Sequence, residues 1–175
     1  IAVNAVMAGC RPEYLPVLIA AVEAMADPAF NLDSIQATTH PVAPLLIVNG
    51  PIAREIGRNA GYNAFGQGFG ANVTIGRAVR LVLMNVGGGL PGIGDRSTQG
   101  SPAKIAYCVA ENEEANPWEP LHVELGFPRD VSTVTVLGCE GPHNIQDHVS
   151  HSGLGILRII AGAMGQAGSN NILAK

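Results

Sequence analysis

The stretch LLIVNG, Leu45–Gly50, decides how the rest of the chain is read. Four apolar residues follow one another without polar alternation, which is the pattern of a strand covered on both faces, and such strands sit in parallel sheets flanked by helices. Outward from it, SIQATTH (Ser34–His40), IAYCVAE (Ile105–Glu111) and STVTVLG (Ser132–Gly138) read as further strands, and the opening IAVNAVMA is also open to a strand reading. Helices are expected from Pro12 to Ala26, where Pro12 suits a first turn whose N–H needs no partner, and over PIAREIG, VTIGRAVRLVLMNV and SGLGILRIIAGAMG. Strands separated by helices predict an α/β fold with a mostly parallel sheet and helices packed on both faces. Residues 1–175 read as a single α/β domain, part of a longer chain or of a multi-subunit assembly.

Composition removes several classes of function. With 47% hydrophobic and 14% charged residues the chain is able to bury a sizeable core. A net charge of −4 with scattered Lys and Arg lacks the concentrated basic face of a nucleic-acid binder. The apolar runs around Leu15–Ala26 and Leu154–Gly165 are too short for a bilayer and carry Pro16, Glu23 and Arg158. Neither nucleic acid nor membrane is therefore expected as a partner. Three cysteines far apart, with no CxxC pair, point to a reducing cytoplasm rather than a disulfide scaffold.

In parallel sheets ligands gather beyond the carboxyl ends of the strands, so the residues that follow each strand are the candidates. His40 follows QATT, Asn49 follows LLIV, Glu111, Glu113 and Glu114 follow AYCVA, and Cys139 and His143 follow VTVLG. Cys10 ends the opening apolar run and precedes Arg11 and Pro12. At a helix N-terminus the free N–H groups and the dipole favour thiolate, whereas a packed Cys is a small hydrophobe, and both readings stand for Cys10. Crowded carboxylates such as Glu111, Glu113 and Glu114 raise at least one pKa and supply a general acid or base, or else form a solvated acidic loop. His143, Asp147, His148 and His151 are spaced to hold a divalent metal on one helical face, although Gly141 and Pro142 disturb the start and no established zinc spacing is met. GQGFGAN has the glycines of an anion cradle without the preceding strand of a dinucleotide fingerprint. The glycine-rich loop Gly87–Lys104, with Ser97 and Thr98, reads as a substrate-covering lid or a partner contact.

The segments AVMAGCRPEYLPVL, NAFGQGFGANVTIGRAVRLVLMNVGG, STQGSPAK, AENEEANPWEPLH and EGPHN resemble the body of the bacterial (seleno)protein family named for a U-G-S-C (selenocysteine-Gly-Ser-Cys) motif. That resemblance implies a thiol- or selenol-based, redox-active enzyme, with Cys10, the Glu111–Glu114 cluster and His143 as the residues that carry over. The chain departs from the family in having neither U-G-S-C nor C-G-S-C, a motif that in the family lies N-terminal to this body.

Three function classes follow from these residues. One is a thiol-dependent enzyme acting on a small molecule, with Cys10 as nucleophile, the glutamates managing protons, His143 and Asn49 orienting the substrate, and His40, Ser97, Thr98 and Cys139 lining its site. Another is a metal-dependent hydrolase or lyase using Glu and His. The last is a non-catalytic subunit that completes a partner's site, so that either a homo-oligomer or a hetero-oligomer with a second subunit is expected.

Overall fold

The structure, a computed structural model, describes residues 1–172. They fall into two compact units, Ile1–Gly141 and the remainder from Pro142, and each is described by itself. In the first unit the elements run α1 (Ala2–Ala8), α2 (Leu15–Ala26, led in by a 3-10 turn at Pro12–Tyr14), α3 (Leu32–Ala37), β1 (Ala43–Asn49), α4 (Pro51–Glu55), α5 (Gly70–Asn85), β2 (Cys108–Ala110), α6 (Leu121–Glu124) and β3 (Thr133–Cys139).

The sheet has three strands in the order β2-β1-β3. β1 pairs with β2 in parallel, Leu46 beside Cys108, and with β3 antiparallel, Ala43 beside Cys139 and Asn49 beside Thr133. The expectation of a mostly parallel sheet with helices on both faces is therefore overturned: only one of the two strand pairings is parallel. Two of the expected strands are helices. IAVNAVMA forms α1 because its alanines favour helix and Gly9, at φ 83, closes it by donating its N–H back to the carbonyls of Ala5 and Val6. SIQA belongs to α3, and its Gln36 is buried against the loop that follows α5.

The core forms against one face of the sheet. Leu46 and Val48 of β1, Cys108 and Ala110 of β2, and Val134 and Val136 of β3 share that face by strand alternation, and they pack with Val17, Leu18, Ala21 and Met25 of α2 and Ile75, Ala78 and Val79 of α5. The opposite face is thinner, with Leu45 and Ile47 half-buried and Leu137 exposed. Gly76 lets α5 sit directly on the chain entering β2, since a Cβ there would lie 2.5 Å from the Tyr107 nitrogen. The loop Gly87–Lys104 is fastened rather than free. Asp95, buried within it, accepts from Lys104 Nζ at 2.8 Å and lies 3.5 Å from Arg80 Nη1, while Arg96 and Thr98 donate their N–H groups to the Gln36 and Thr39 carbonyls.

The second unit is an irregular segment followed by α7 (Gly153–Met164), which Ser152 caps by accepting from the Gly155 N–H. Leu154, Leu157 and Met164 of α7 are exposed. Among the described residues no single helix is long and apolar enough to cross a membrane.

Candidate functional site

Because β1 and β2 run in parallel, their carboxyl ends bring Asn49 together with the acidic run that follows Ala110. Asn49 is fully buried, and its Nδ2 group donates to Glu111 Oε2 at 2.6 Å and to Glu113 Oε1 at 2.9 Å. Carboxylates only accept, so the amide can face them only with its nitrogen. Each glutamate has further donors. Glu111 takes the Asn116 side-chain amide at 2.7 Å and the Leu121 N–H at 2.9 Å, and Glu113 Oε1 takes the Gly50 N–H at 2.7 Å. Gly50 is bent into this position at φ 80 and ψ −168, beside the Val131 carbonyl and Ser132, where no side chain has room.

Both hydrogen bonds to Glu113 fall on the same oxygen, Oε1. His122, buried in α6, puts Nδ1 3.9 Å from Glu113 Oε1, and its Nε2 donates to the Arg129 carbonyl at 3.3 Å. Burial would raise the Glu113 pKa, but the Gly50 N–H, the Asn49 amide and the neighbouring His122 and Arg54 outweigh it and hold the carboxyl below its ordinary value. Glu113 Oε2 receives no hydrogen bond from the described residues. The Glu111–Glu114 run forms one wall of a cleft of about 290 Å³, whose other lining includes Gly50, Arg54, Arg58, Ala60 and Gly61. Glu114 and Arg54 form an exposed pair at 3.4 Å on its rim.

The remaining predicted residues lie elsewhere, for a reason that follows from the sheet. β3 is antiparallel, so Cys139 emerges beside Ala43, at the end where β1 begins, separated from Asn49 by the length of β1, roughly 20 Å. His40 joins Cys139 at that end through Glu140, with Nδ1 3.9 Å from its Oε1. Thr98 is tied there by its hydroxyl to the Thr39 carbonyl, and Ser97 donates its N–H to Asp95. Tyr107 and Cys139 are both raised in pKa, chiefly by burial, so this end holds no ionised thiol.

Cys10 belongs to neither end. It is half-buried against the main core, where burial pushes its pKa up and the contact with Thr74 offsets this only in part. The thiolate expected from a helix N-terminus is thus disfavoured by desolvation, and the helix it precedes is only a three-residue 3-10 turn. Its neighbours Gly9, Arg11 and Thr74 line a separate cleft of about 440 Å³ in front of α5. His143 is exposed in the second unit. The helix that would align Asp147, His148 and His151 does not form; Asp147 instead caps a turn by accepting from the Val149 and Ser150 N–H groups. Among the described residues no three His, Cys, Asp or Glu side chains converge to hold a metal ion.

Three residues that the fold brings to this site, Asn116, Arg58 and His122, are not marked out by the sequence. None has a local signature: Arg58 and Asn116 are single polar residues in irregular segments and His122 sits in the four-residue α6, and only the fold turns them toward the strand ends. Comparison with protein-family models, with curated proteins and with solved structures finds no match to this chain.

Proposed function

We propose that the chain is an enzyme acting on a small polar molecule held in the cleft at the carboxyl ends of β1 and β2, with Glu113 as the group that meets it. The observation that supports this most is the asymmetry of that carboxylate on a residue that lines the cleft: Oε1 accepts from both Gly50 and Asn49, while Oε2 accepts from none of the described residues. A carboxylate built so rigidly spends no further reorganisation when a ligand arrives. Its depressed pKa makes it a weak proton acceptor at neutral pH, and suits it instead to orienting a hydroxyl, amine or amide donor and to stabilising positive charge that develops there. Glu111 then acts as a brace, because both of its oxygens are engaged by the protein itself.

The test is a ligand-observed NMR screen of small hydroxyl-, amine- and amide-bearing molecules against the protein and its Glu113→Gln variant. Molecules that bind the native chain, shift the Gly50 and Gly61 amides and lose binding in the variant are expected. A screen in which no binding depends on Glu113 removes the proposal.

A second reading keeps the thiol of Cys10 as the working group, as the resemblance to the U-G-S-C family implies, and that kinship rests on the sequence segments alone. What supports it in the fold is the cleft lined by Gly9, Arg11 and Thr74 next to the sulfur. Its test is the alkylation rate of Cys10 at neutral pH, which must exceed that of an unstructured peptide thiol. A small-molecule substrate, a cytoplasmic setting and assembly with a second chain or a second copy remain part of the proposal under either reading.

A further inference from the structure

Arg58 follows α4 and is only 9% exposed, yet none of Nε, Nη1 and Nη2 reaches an oxygen or nitrogen acceptor, and the one group set against it is the weakly accepting Cys108 thiol. A guanidinium carries five N–H donors in a rigid fork, and burying it with no oxygen acceptor and no countercharge is among the most costly arrangements a fold can hold. The protein's own anions do not relieve it. Glu111 is engaged by Asn49, Asn116 and Leu121, Glu113 Oε1 by Asn49 and Gly50, and Glu114 by Arg54. The nearby Cys108 thiol is fully buried, and burial pushes its pKa up to about 11 even though Arg58 pulls it down, so it stays neutral and supplies no countercharge. Arg58 lines the same cleft as Glu113, and Ala60 and Gly61 put nothing larger than a methyl group on that wall.

We propose that Arg58 is the anion-binding residue of this cleft, and that the molecule it takes is a small monocarboxylate whose two oxygens meet the guanidinium fork. A fork-to-fork pair matches carboxylate geometry. A cleft of about 290 Å³ lies at the small end of ligand sites. The glutamates that share it disfavour a second negative charge on the ligand, which sets a carboxylate above a phosphate. This deepens the reading of the Glu113 cleft and rests on it for the other end of the ligand, where a hydroxyl or amine would reach Glu113 Oε2.

The probe is acetate, titrated against the whole chain at constant ionic strength with chloride as the balancing ion. Two signals are followed, the Arg58 Nε–H resonance and the thermal midpoint. A saturable shift of the Nε–H resonance, accompanied by a rise in midpoint, is expected. In Arg58→Met, acetate binding weakens at least about tenfold, as loss of a bidentate charged pair requires. Because that change removes a buried, unpaired charge, the unliganded variant is expected to be no less stable than the native chain. The proposal falls if the native Nε–H resonance shows no saturable response, if Arg58→Met binds acetate as the native chain does, or if it unfolds for want of the arginine. It falls equally if phosphate binds more tightly than acetate. The resonance in the native chain needs no variant, so the test does not depend on one folding. Acetate binding at Arg58 with no ligand dependent on Glu113 removes the reading of the glutamate and leaves the anion site; the reverse pattern removes the anion site alone.

Discussion

Replacing Asn49 by aspartate keeps the shape of the side chain and reverses what it offers its neighbours. The native amide is fully buried and donates to two carboxylates, at 2.6 and 2.9 Å. Hydrogen bonds to charged groups contribute roughly 1.5–3 kcal/mol each, so losing both costs about 3–6 kcal/mol before repulsion among three carboxylates is counted. Domains are stable by only about 5–15 kcal/mol, so Asn49→Asp is expected to be marginally folded at neutral pH. The pH dependence follows from two opposite shifts. A buried aspartate facing two carboxylates has a folded pKa above its unfolded value of about 3.9, so its penalty is fully present at neutral pH and shrinks as the folded state takes up a proton on acidification. Glu113 in the native chain has a lowered pKa, so the stability it contributes is present above the unfolded carboxyl pKa and is lost as pH falls through the folded value. Native and variant stabilities therefore converge on mild acidification. Urea unfolding followed by circular dichroism at neutral and mildly acidic pH measures the difference. A loss below about 1 kcal/mol at neutral pH, or one that does not change with pH, would refute the bridging role of the amide.

Three other perturbations test other parts of the fold. Gly50→Ala forces a side chain into a positive-φ position against the Val131 carbonyl, with Ser132 Cα 2.9 Å away, and is expected to cost about 2–5 kcal/mol by urea unfolding; a near-neutral effect would mean that the Gly50 N–H is not held on Glu113 by this geometry. Asp95→Asn leaves Arg80 and Lys104 buried without their shared countercharge and is expected to lose about 3–5 kcal/mol, with faster proteolysis of the Gly87–Lys104 loop, whereas a mobile lid would tolerate the change. Iodoacetamide at neutral pH is expected to modify Cys10 more slowly than a peptide thiol and Cys108 only on unfolding, read out by mass spectrometry of the modified peptides.

The local pattern was enough to place β1, β2 and β3 near LLIVNG, AYCVA and STVTVLG, because short apolar runs bounded by Pro, Gly and polar residues carry their own signal. It also set Asn49 at the end of β1 and Glu111 and Glu113 just past β2, and the parallel pairing of those two strands is what brings them together. The direction of β3 was not legible. A strand's side-chain alternation is the same whichever way it runs, and only its antiparallel pairing along β1 sends Cys139 to the far end of the sheet, where His40 stands just ahead of β1. The opening IAVNAVMA shows the same limit in another form: eight mostly apolar residues suit a buried strand or a buried helix, and Gly9 with the packing of Asn4 against Asn85 selects the helix.

Taken alone, then, the sequence determined where chain segments change character and which polar groups stand at their ends, because those are properties of neighbours in the chain. Which of these groups meet was decided by tertiary structure. Arg58, Asn116 and His122 reach the strand ends through contacts between residues far apart in sequence or through irregular turns, and the cost of desolvating a thiol at Cys10 or a guanidinium at Arg58 exists only once the surrounding core has formed.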